Sequence, residues 1–373
     1  MNKTIGIFGG GQLGRMMAQA ALPLNIQCTF FEVDTDCPAA ILGTVFSTKS
    51  EQGLQDFIAS ADVFSLEFEN TPINYVDVLT QSKTLHPPRL ALATAQNRLA
   101  EKALFDELNI PVAPYRAVDS LDSLKQAVVD LGLPIVLKTV TGGYDGKGQF
   151  VLRTENQIDT AWAELGPAKS LVAESFVQFS REVLIIAVRG QNGDVKTWSL
   201  AENHHHNGIL SHSIVPAPNS ADLQPVAQDY ITRLLNHLNY VGVLTLELFV
   251  TEQGLFANEM ACRVHNSGHW SIEGAVCSQF ENHIRAVAGL PLGLTEVIRP
   301  TVMINIIGQH PKSEAVLALN GAHLHLYNKS ERTGRKLGHI TLMPNNSDEL
   351  TDLCRQLAKI LPVPLALTTD MNI

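Results

Sequence analysis

The sequence has few cysteines and no closely spaced pair of them. Its five, Cys28, Cys37, Cys262, Cys277 and Cys354, are odd in number and far apart. Without a C-x-x-C pair, neither a zinc cage nor a disulfide framework is indicated, and the five read as small buried hydrophobes in a reducing compartment. A surplus of positive charge is also missing, with 27 basic residues against 37 acidic ones and a net charge of −10. That balance argues against general nucleic-acid binding but leaves room for an anionic small molecule held by a few local cations. No apolar run approaches the roughly 20 residues that span a bilayer. Met1–Asn2–Lys3 leads straight into a strand-like segment without signal-peptide architecture. The expectation is a cytoplasmic protein with neither a membrane nor a nucleic-acid partner. Internal repeats and low-complexity tracts are lacking as well.

What is present is an ordinary globular composition, 45% hydrophobic and 17% charged over 373 residues, too long for one core. Thr4–Phe8, Gln27–Glu32 and Val63–Leu66 read as strands, with an amphipathic helix from Gln12 to about Leu22. Strands alternating with helices predict a doubly wound parallel sheet over residues 1–108, ending near a helix at Ala95–Leu108. Residues 109–180 read as a small α+β unit: strands Pro134–Lys138 and Leu171–Glu174 flank a glycine-rich hairpin-like loop and a helix near Glu155–Glu164. Residues 181–373 read as a larger mixed-sheet unit. Its expected strands are Glu182–Arg189, Val195–Leu200, Val243–Val250 and Leu255–Glu259, with helices at Ala221–Leu238 and Ser347–Leu361. The fold class expected is thus α/β and α+β in three units.

Four constellations carry chemistry. Gly9-x-Gly11-x-x-Gly14 lies between a strand and a helix, with Glu32 and Asp34 about 20 residues on, where a dinucleotide fold places its ribose-binding acid. A nicotinamide-dependent oxidoreductase is therefore one reading, and a plain glycine turn another. Gly142–Gly143–Tyr144–Asp145–Gly146–Lys147–Gly148–Gln149 follows Lys138 at a strand end. Such a backbone can fold over phosphates, with two lysines converging on it, although Gly148 after Lys147 rules out a Walker loop. Glu247 sits inside the apolar run Gly242–Val250, and Asn258–Glu259 arrives from the neighbouring strand. Buried carboxylates need a cation between them or a basic partner; magnesium shared with nucleotide phosphates is the first option and an Arg or Lys pair the second. Arg263-x-His265-Asn266-Ser267-Gly268-His269-Trp270 crowds polar groups together, with Arg263 able to grip a planar anion.

Together the segments GGGQLGRM, GGYDGKGQ, GVLTLELFV, NEMACRVHNSGHW and ERTGRKLGH resemble the 5-(carboxyamino)imidazole ribonucleotide synthetase family of ATP-grasp enzymes, over about residues 4–345. That resemblance implies an ATP-grasp core at about residues 102–290, preceded by a Rossmann-like domain and followed by a substrate-phosphate subdomain. It implies a ligase of purine biosynthesis that uses ATP, bicarbonate and aminoimidazole ribonucleotide, with Mg²⁺ (Mn²⁺ as a substitute), in a homodimer. A formate-using purine transformylase of the same fold is the near neighbour.

By the same resemblance, Arg98, Lys138, Gly143–Gln149 and His205 contact the nucleotide. Glu174, Ser175, Phe176 and Val177 form the hinge strand that reads adenine, and Glu182 holds the ribose. Glu247 and Glu259 match the magnesium ligands, with Asn258 beside them; Ala261 stands where many ATP-grasp enzymes carry a third ligand. Arg263, His265 and Asn266 are the candidates for positioning bicarbonate and carboxyphosphate, with Lys147 as a further catalytic candidate. Gln12, Leu13, Glu67, Tyr144, Asp145 and Lys147 approach the ribonucleotide, and Lys329, Arg335 and Lys336 hold its 5′-phosphate. His204–His205–His206 read as surface or nucleotide-contacting histidines before a transition-metal site.

Overall fold

The computed structural model describes residues 3–142, 148–166 and 170–362. The first of its three sheets comprises β1 (Thr4–Phe8), β2 (Gln27–Glu32), β3 (Gly43–Ser47), β4 (Val63–Leu66) and β5 (Thr84–Leu85), in the order β3-β2-β1-β4-β5. All neighbours run parallel. A parallel sheet is covered on both faces, which is why these strands read as apolar runs without alternation. Phe57 packs edge-on to Phe8 and Phe64, each at 5.1 Å. Gly6 has no space for a side chain, since a Cβ there would lie 2.3 Å from the Phe64 ring.

The second sheet comprises β6 (Tyr115–Val118), β7 (Ile135–Thr139), β8 (Gln149–Leu152) and β9 (Leu171–Ser175), antiparallel in the order β6-β9-β7-β8. Its helix Leu121–Leu131, unforeseen in the sequence, starts where the Ser120 hydroxyl accepts the Ser123 N–H at 3.2 Å.

The third sheet comprises β10 (Arg181–Arg189), β11 (Val195–Thr197), β12 (Ala201–His206), β13 (Ile209–Val215), β14 (Gly242–Thr251), β15 (Gly254–Ala261), β16 (Thr301–Ile307), β17 (Ala322–Leu326) and β18 (Lys336–Leu342). Its order is β15-β14-β10-β12-β13-β16-β18-β17, with β11 beside β10. Val195–Leu200 was expected as one strand, but β11 stops at Thr197. The hairpin of β12 and β13 was not foreseen, although Asn207–Gly208, both at positive φ (50° and 77°), marks its turn.

Two devices lock the sheets together. The expected helix Ala95–Leu108 is broken by Asn97, whose side chain accepts the N–H groups of Leu99 and Ala100, each at 3.0 Å; the helix proper runs Arg98–Glu107. It lies along the edge strand β15, where Glu101 Oε1 accepts the Met260 N–H at 2.7 Å. His283, on the helix Gln279–Ala288, accepts the Val243 N–H on Nδ1 at 3.1 Å, so its Nε2–H donates to Ser65 Oγ at 2.7 Å. One buried imidazole thus ties β4 to β14.

Candidate active site

The residues expected to meet the nucleotide gather between the second and third sheets. Lys138 leaves β7 and donates to Glu174 Oε2 on β9 at 3.1 Å, and Lys102 of the helix Arg98–Glu107 reaches the same oxygen at 3.2 Å. Burial alone would push the Glu174 carboxyl up, but the two ammoniums outweigh it and hold it below its ordinary value. The loop hairpin joins at Lys138, which pairs with Gln149 in register; Gly148 is at φ +73°, and its carbonyl accepts the Thr139 N–H at 2.9 Å. Gly143, Tyr144, Asp145, Gly146 and Lys147 lie outside the described residues. At the end of β9, the N–H groups of Ser175 and Phe176 donate to the carbonyls of Pro114 (2.9 Å) and Pro134 (3.1 Å), and Val177 follows them.

On the third sheet Glu182, His205, Glu247 and Glu259 share one face. Glu182 is two residues from Leu184, the register partner of Glu247, and Glu247 is the partner of Glu259. His205 Nδ1 lies 2.9 Å from Glu182 Oε2. Opposite the irregularity after Glu247, Asn258 is the extra residue of β15. Arg98 Nη1 donates to Glu259 Oε2 at 3.2 Å, held in place because it opens the capped helix. Burial raises the Glu247 carboxyl well above its ordinary value, and Glu259, Glu182 and Glu69 add to the rise. Such an anionic cluster fits a hard divalent cation that takes its remaining oxygens from a nucleotide. Among the described residues no group of three or more His, Cys, Asp or Glu side chains gathers as a metal cage. The His triplet is split: His204 faces Glu202 and stacks on His212 at 4.4 Å, while His205 turns to Glu182.

The loop after β15 is pinned from both sides. Gln279 accepts the His265 N–H at 2.9 Å and donates to its carbonyl at 2.6 Å. His265 Nδ1 accepts the Ser267 N–H at 3.3 Å, so Nε2 carries the proton, 3.4 Å from Glu247 Oε1. Burial keeps this imidazole well below its usual range, which makes it a neutral donor. The Arg263 guanidinium, expected to grip a free anion, is held by Glu69 at 3.0 Å and by the Val264 carbonyl at 3.1 Å. The Asn266 amide pairs reciprocally with Asn305, at 2.9 and 2.8 Å.

The glycine loop overturns the dinucleotide reading. Glu67, just past β4, accepts the Gly11 N–H at 2.6 Å and the Leu13 N–H at 3.1 Å. A protein carboxylate therefore occupies the anion-binding position that a pyrophosphate takes in a dinucleotide fold. The glycines exist for this approach: a Cβ at Gly11 would meet Glu67 Oε1 at 2.4 Å, and one at Gly9 would meet Oε2 at 2.6 Å. Glu32 accepts the Gly10 N–H at 3.0 Å, and Asp34 closes a local turn onto the Asp36 N–H. Across from this loop, Lys329 Nζ donates to Gln12 Oε1, and Arg335 donates to Ser330 Oγ at 2.9 Å. Burial pulls the Lys329 ammonium down to about 8; Glu67 opposes the shift, while Arg335, Lys336 and Arg332 reinforce it. A cleft of about 590 Å³ opens there, lined by Arg15, Ile41, His310, Leu326, Asn328, Lys329 and Ser330.

Comparison with known proteins fixes the family. Residues 1–96 match the ribonucleotide synthetase preATP-grasp domain, 103–280 the ATP-grasp domain, and 301–352 the phosphoribosylaminoimidazole carboxylase C-terminal domain. The N5-carboxyaminoimidazole ribonucleotide synthase of Vibrio cholerae is 44% identical over 361 residues, 95% of this chain and 94% of that protein. The chain belongs to the N5-carboxyaminoimidazole ribonucleotide synthase family. The crystal structure of the Thermus thermophilus synthetase is similar at a TM-score of 0.92 and 43% identity, covering 96% of this chain and 99% of that one. That of the Aspergillus clavatus synthase, in complex with ADP and 5-aminoimidazole ribonucleotide, is similar at a TM-score of 0.88 and 29% identity over 96% and 99%. The family's three-part layout accounts for the sheet order found here, with the ATP-grasp match spanning the second sheet and β10–β15.

Several polar residues that shape this synthetase site were missed in the sequence. Glu69 and Glu101 each look like one more charge beside a helix or strand, and Lys102 like a surface lysine. Glu69 had a signal, since acidic residues just past the C-terminal end of a parallel strand sit where such sheets place ligands. Gln279 and Asn305 had none, because their partners lie 14 and 39 residues away.

Proposed function

We propose that the chain carboxylates the 5-amino group of aminoimidazole ribonucleotide with ATP and bicarbonate, through carboxyphosphate, and releases ADP and phosphate. The observation that carries this reading is the cluster of Glu182, Glu247 and Glu259 on one face of the third sheet, with Arg98, His205 and His265 against it. Lys138, at Glu174, is the cation on the nucleotide side, and Lys329, at Gln12, with Arg335, at Ser330, and Lys336 are those on the ribonucleotide side. In this reading Lys138 and the residue 143–149 loop hold the phosphates. The hinge reads adenine through its carbonyls and Val177, because the N–H groups of Ser175 and Phe176 are already engaged. Glu182 with His205 takes the ribose.

Glu247 and Glu259 are the residues suited to Mg²⁺, with Asn258 beside them; the ion, when bound, neutralises the phosphate oxygens. A bicarbonate oxygen attacks the γ-phosphorus, the bond to the bridging oxygen breaks, and ADP leaves. The amino nitrogen then attacks the carboxyl carbon, and phosphate departs with the electron pair and takes up the proton that nitrogen loses. Carboxyphosphate is short-lived in water, so closure of the loop over the site is required. Arg263, oriented by Glu69, and neutral His265 present donors to the carboxylate, and Asn266 braces the loop through Asn305. Gln12, Leu13 and Glu67 shape the ribonucleotide pocket. A homodimer in the cytoplasm is the expected setting. [¹⁸O]bicarbonate tests the intermediate: one ¹⁸O should appear in the released phosphate, and unlabelled phosphate would refute carboxyphosphate.

A further inference from the structure

Lys102 has no part in the chemistry above, yet it is the most enclosed cation at the nucleotide site. Its side chain is 2% exposed, against 14% for Lys138 and 7% for the Glu174 they share. Both ammoniums meet one oxygen, Glu174 Oε2, while Oε1 is buried without a partner. Two cations against one carboxylate leave a net positive charge in a poorly solvated place. The ring of Tyr115, 5.7 Å from Lys102 Nζ, favours keeping that charge. The helix that carries Lys102 is fixed by Arg98–Glu259, one turn away on the same face, and by Glu101–Met260 at the adjacent position. Lys102 thus cannot follow a ligand, whereas Lys138 can.

We propose that Lys102 is a positioning residue for Lys138: by keeping Glu174 neutralised, it frees the Lys138 ammonium to transfer to nucleotide phosphate. Without Lys102, any departure of Lys138 would strand a buried carboxylate, and Lys138 would stay locked to Glu174 as a neutral pair. Burial pulls the Lys102 ammonium below its ordinary value and Lys138 pushes the same way, while Glu174 and Glu101 oppose the shift. The arrangement presets the field that receives the polyanion, without reorganisation when it binds.

This inference rests on Lys138 as the phosphate contact, so the experiment includes Lys138→Met. Steady-state KM values for ATP and for the ribonucleotide, with kcat and Tm, are measured for Lys102→Met, Lys102→Arg, and Lys102→Met combined with Glu174→Gln. The expected result is a tenfold or larger rise in KM for ATP in Lys102→Met, with KM for the ribonucleotide unchanged. Lys102→Arg should stay near wild type. The double variant restores the net positive charge and should regain most of the ATP affinity even if its Tm stays low. A double variant no better than Lys102→Met overturns the proposal, as do ATP and ribonucleotide KM values that rise together with falling Tm. An unchanged KM for ATP in Lys138→Met overturns the phosphate assignment itself; a raised one beside a normal Lys102→Met overturns only the role given to Lys102.

Discussion

Glu247 and Glu259 face each other directly across β14 and β15, two carboxylates in register on one face of the largest sheet. Like charges so placed destabilise a strand pair by about 0.2–1 kcal/mol. Among the described residues their basic contacts are His265, at 3.4 Å from Glu247, and Arg98, at 3.2 Å from Glu259. The pair makes physical sense as half of a cation site completed by the nucleotide.

Glu259→Gln should therefore fold with a Tm near that of the wild type, because relief of the like-charge repulsion offsets the weakened Arg98 contact. ATP turnover should fall on the order of 10²–10³-fold. Thermal unfolding and ADP release, measured on the same preparation, check both parts. Near-normal turnover would sink the metal assignment.

These carboxylates were legible in the sequence because a charge inside an apolar run demands a partner. So were β1, β2 and β4, whose apolar runs leave little choice of structure. The hairpin of β12 and β13 was not, since AENHHHNGILSHSIV is polar on one side and its histidines drew attention away from the Asn207–Gly208 turn. Arg263 was recognised but its partner Glu69 was not, for they lie 194 residues apart and meet only when the first and third sheets dock. Long-range pairing of this kind leaves no periodic trace.

Glu67 and the glycine loop act as one unit. Gly11→Ala pushes a Cβ into Glu67 Oε1, and Glu67→Gln sets its amide NH₂ against one of the two N–H donors. Each variant should lose about 2 kcal/mol of stability and raise KM for the ribonucleotide, while KM for ATP holds. Urea unfolding and substrate-resolved kinetics check this. A rise in the ATP value alone would move Glu67 to the other half of the site.

Lys329 supplies a pH test. Its ammonium titrates at about 8, so kcat/KM for the ribonucleotide should be flat below that pH. Above it the value should drop by about tenfold per unit as the phosphate loses its cation. Lys329→Met should lower kcat/KM and erase the break. A break that survives the substitution would belong to another group.

His283 supplies a stability test. Burial holds it at about 3, against the ordinary value of 6.5. The unfolded state therefore binds the extra proton below pH 6.5, and the stability this histidine confers at neutral pH declines as pH falls toward 3. The destabilisation caused by His283→Gln should accordingly shrink by about 2 kcal/mol between pH 7 and pH 5. Urea titrations at the two pH values read the difference directly, and a cost that does not change with pH would contradict the buried neutral imidazole.

The most direct test of the central claim is ADP release with ATP, Mg²⁺ and bicarbonate, measured with and without aminoimidazole ribonucleotide. Strong stimulation by the ribonucleotide, lost when bicarbonate is excluded, is the predicted result. ADP release indifferent to the ribonucleotide, or stimulated equally without bicarbonate, would contradict it.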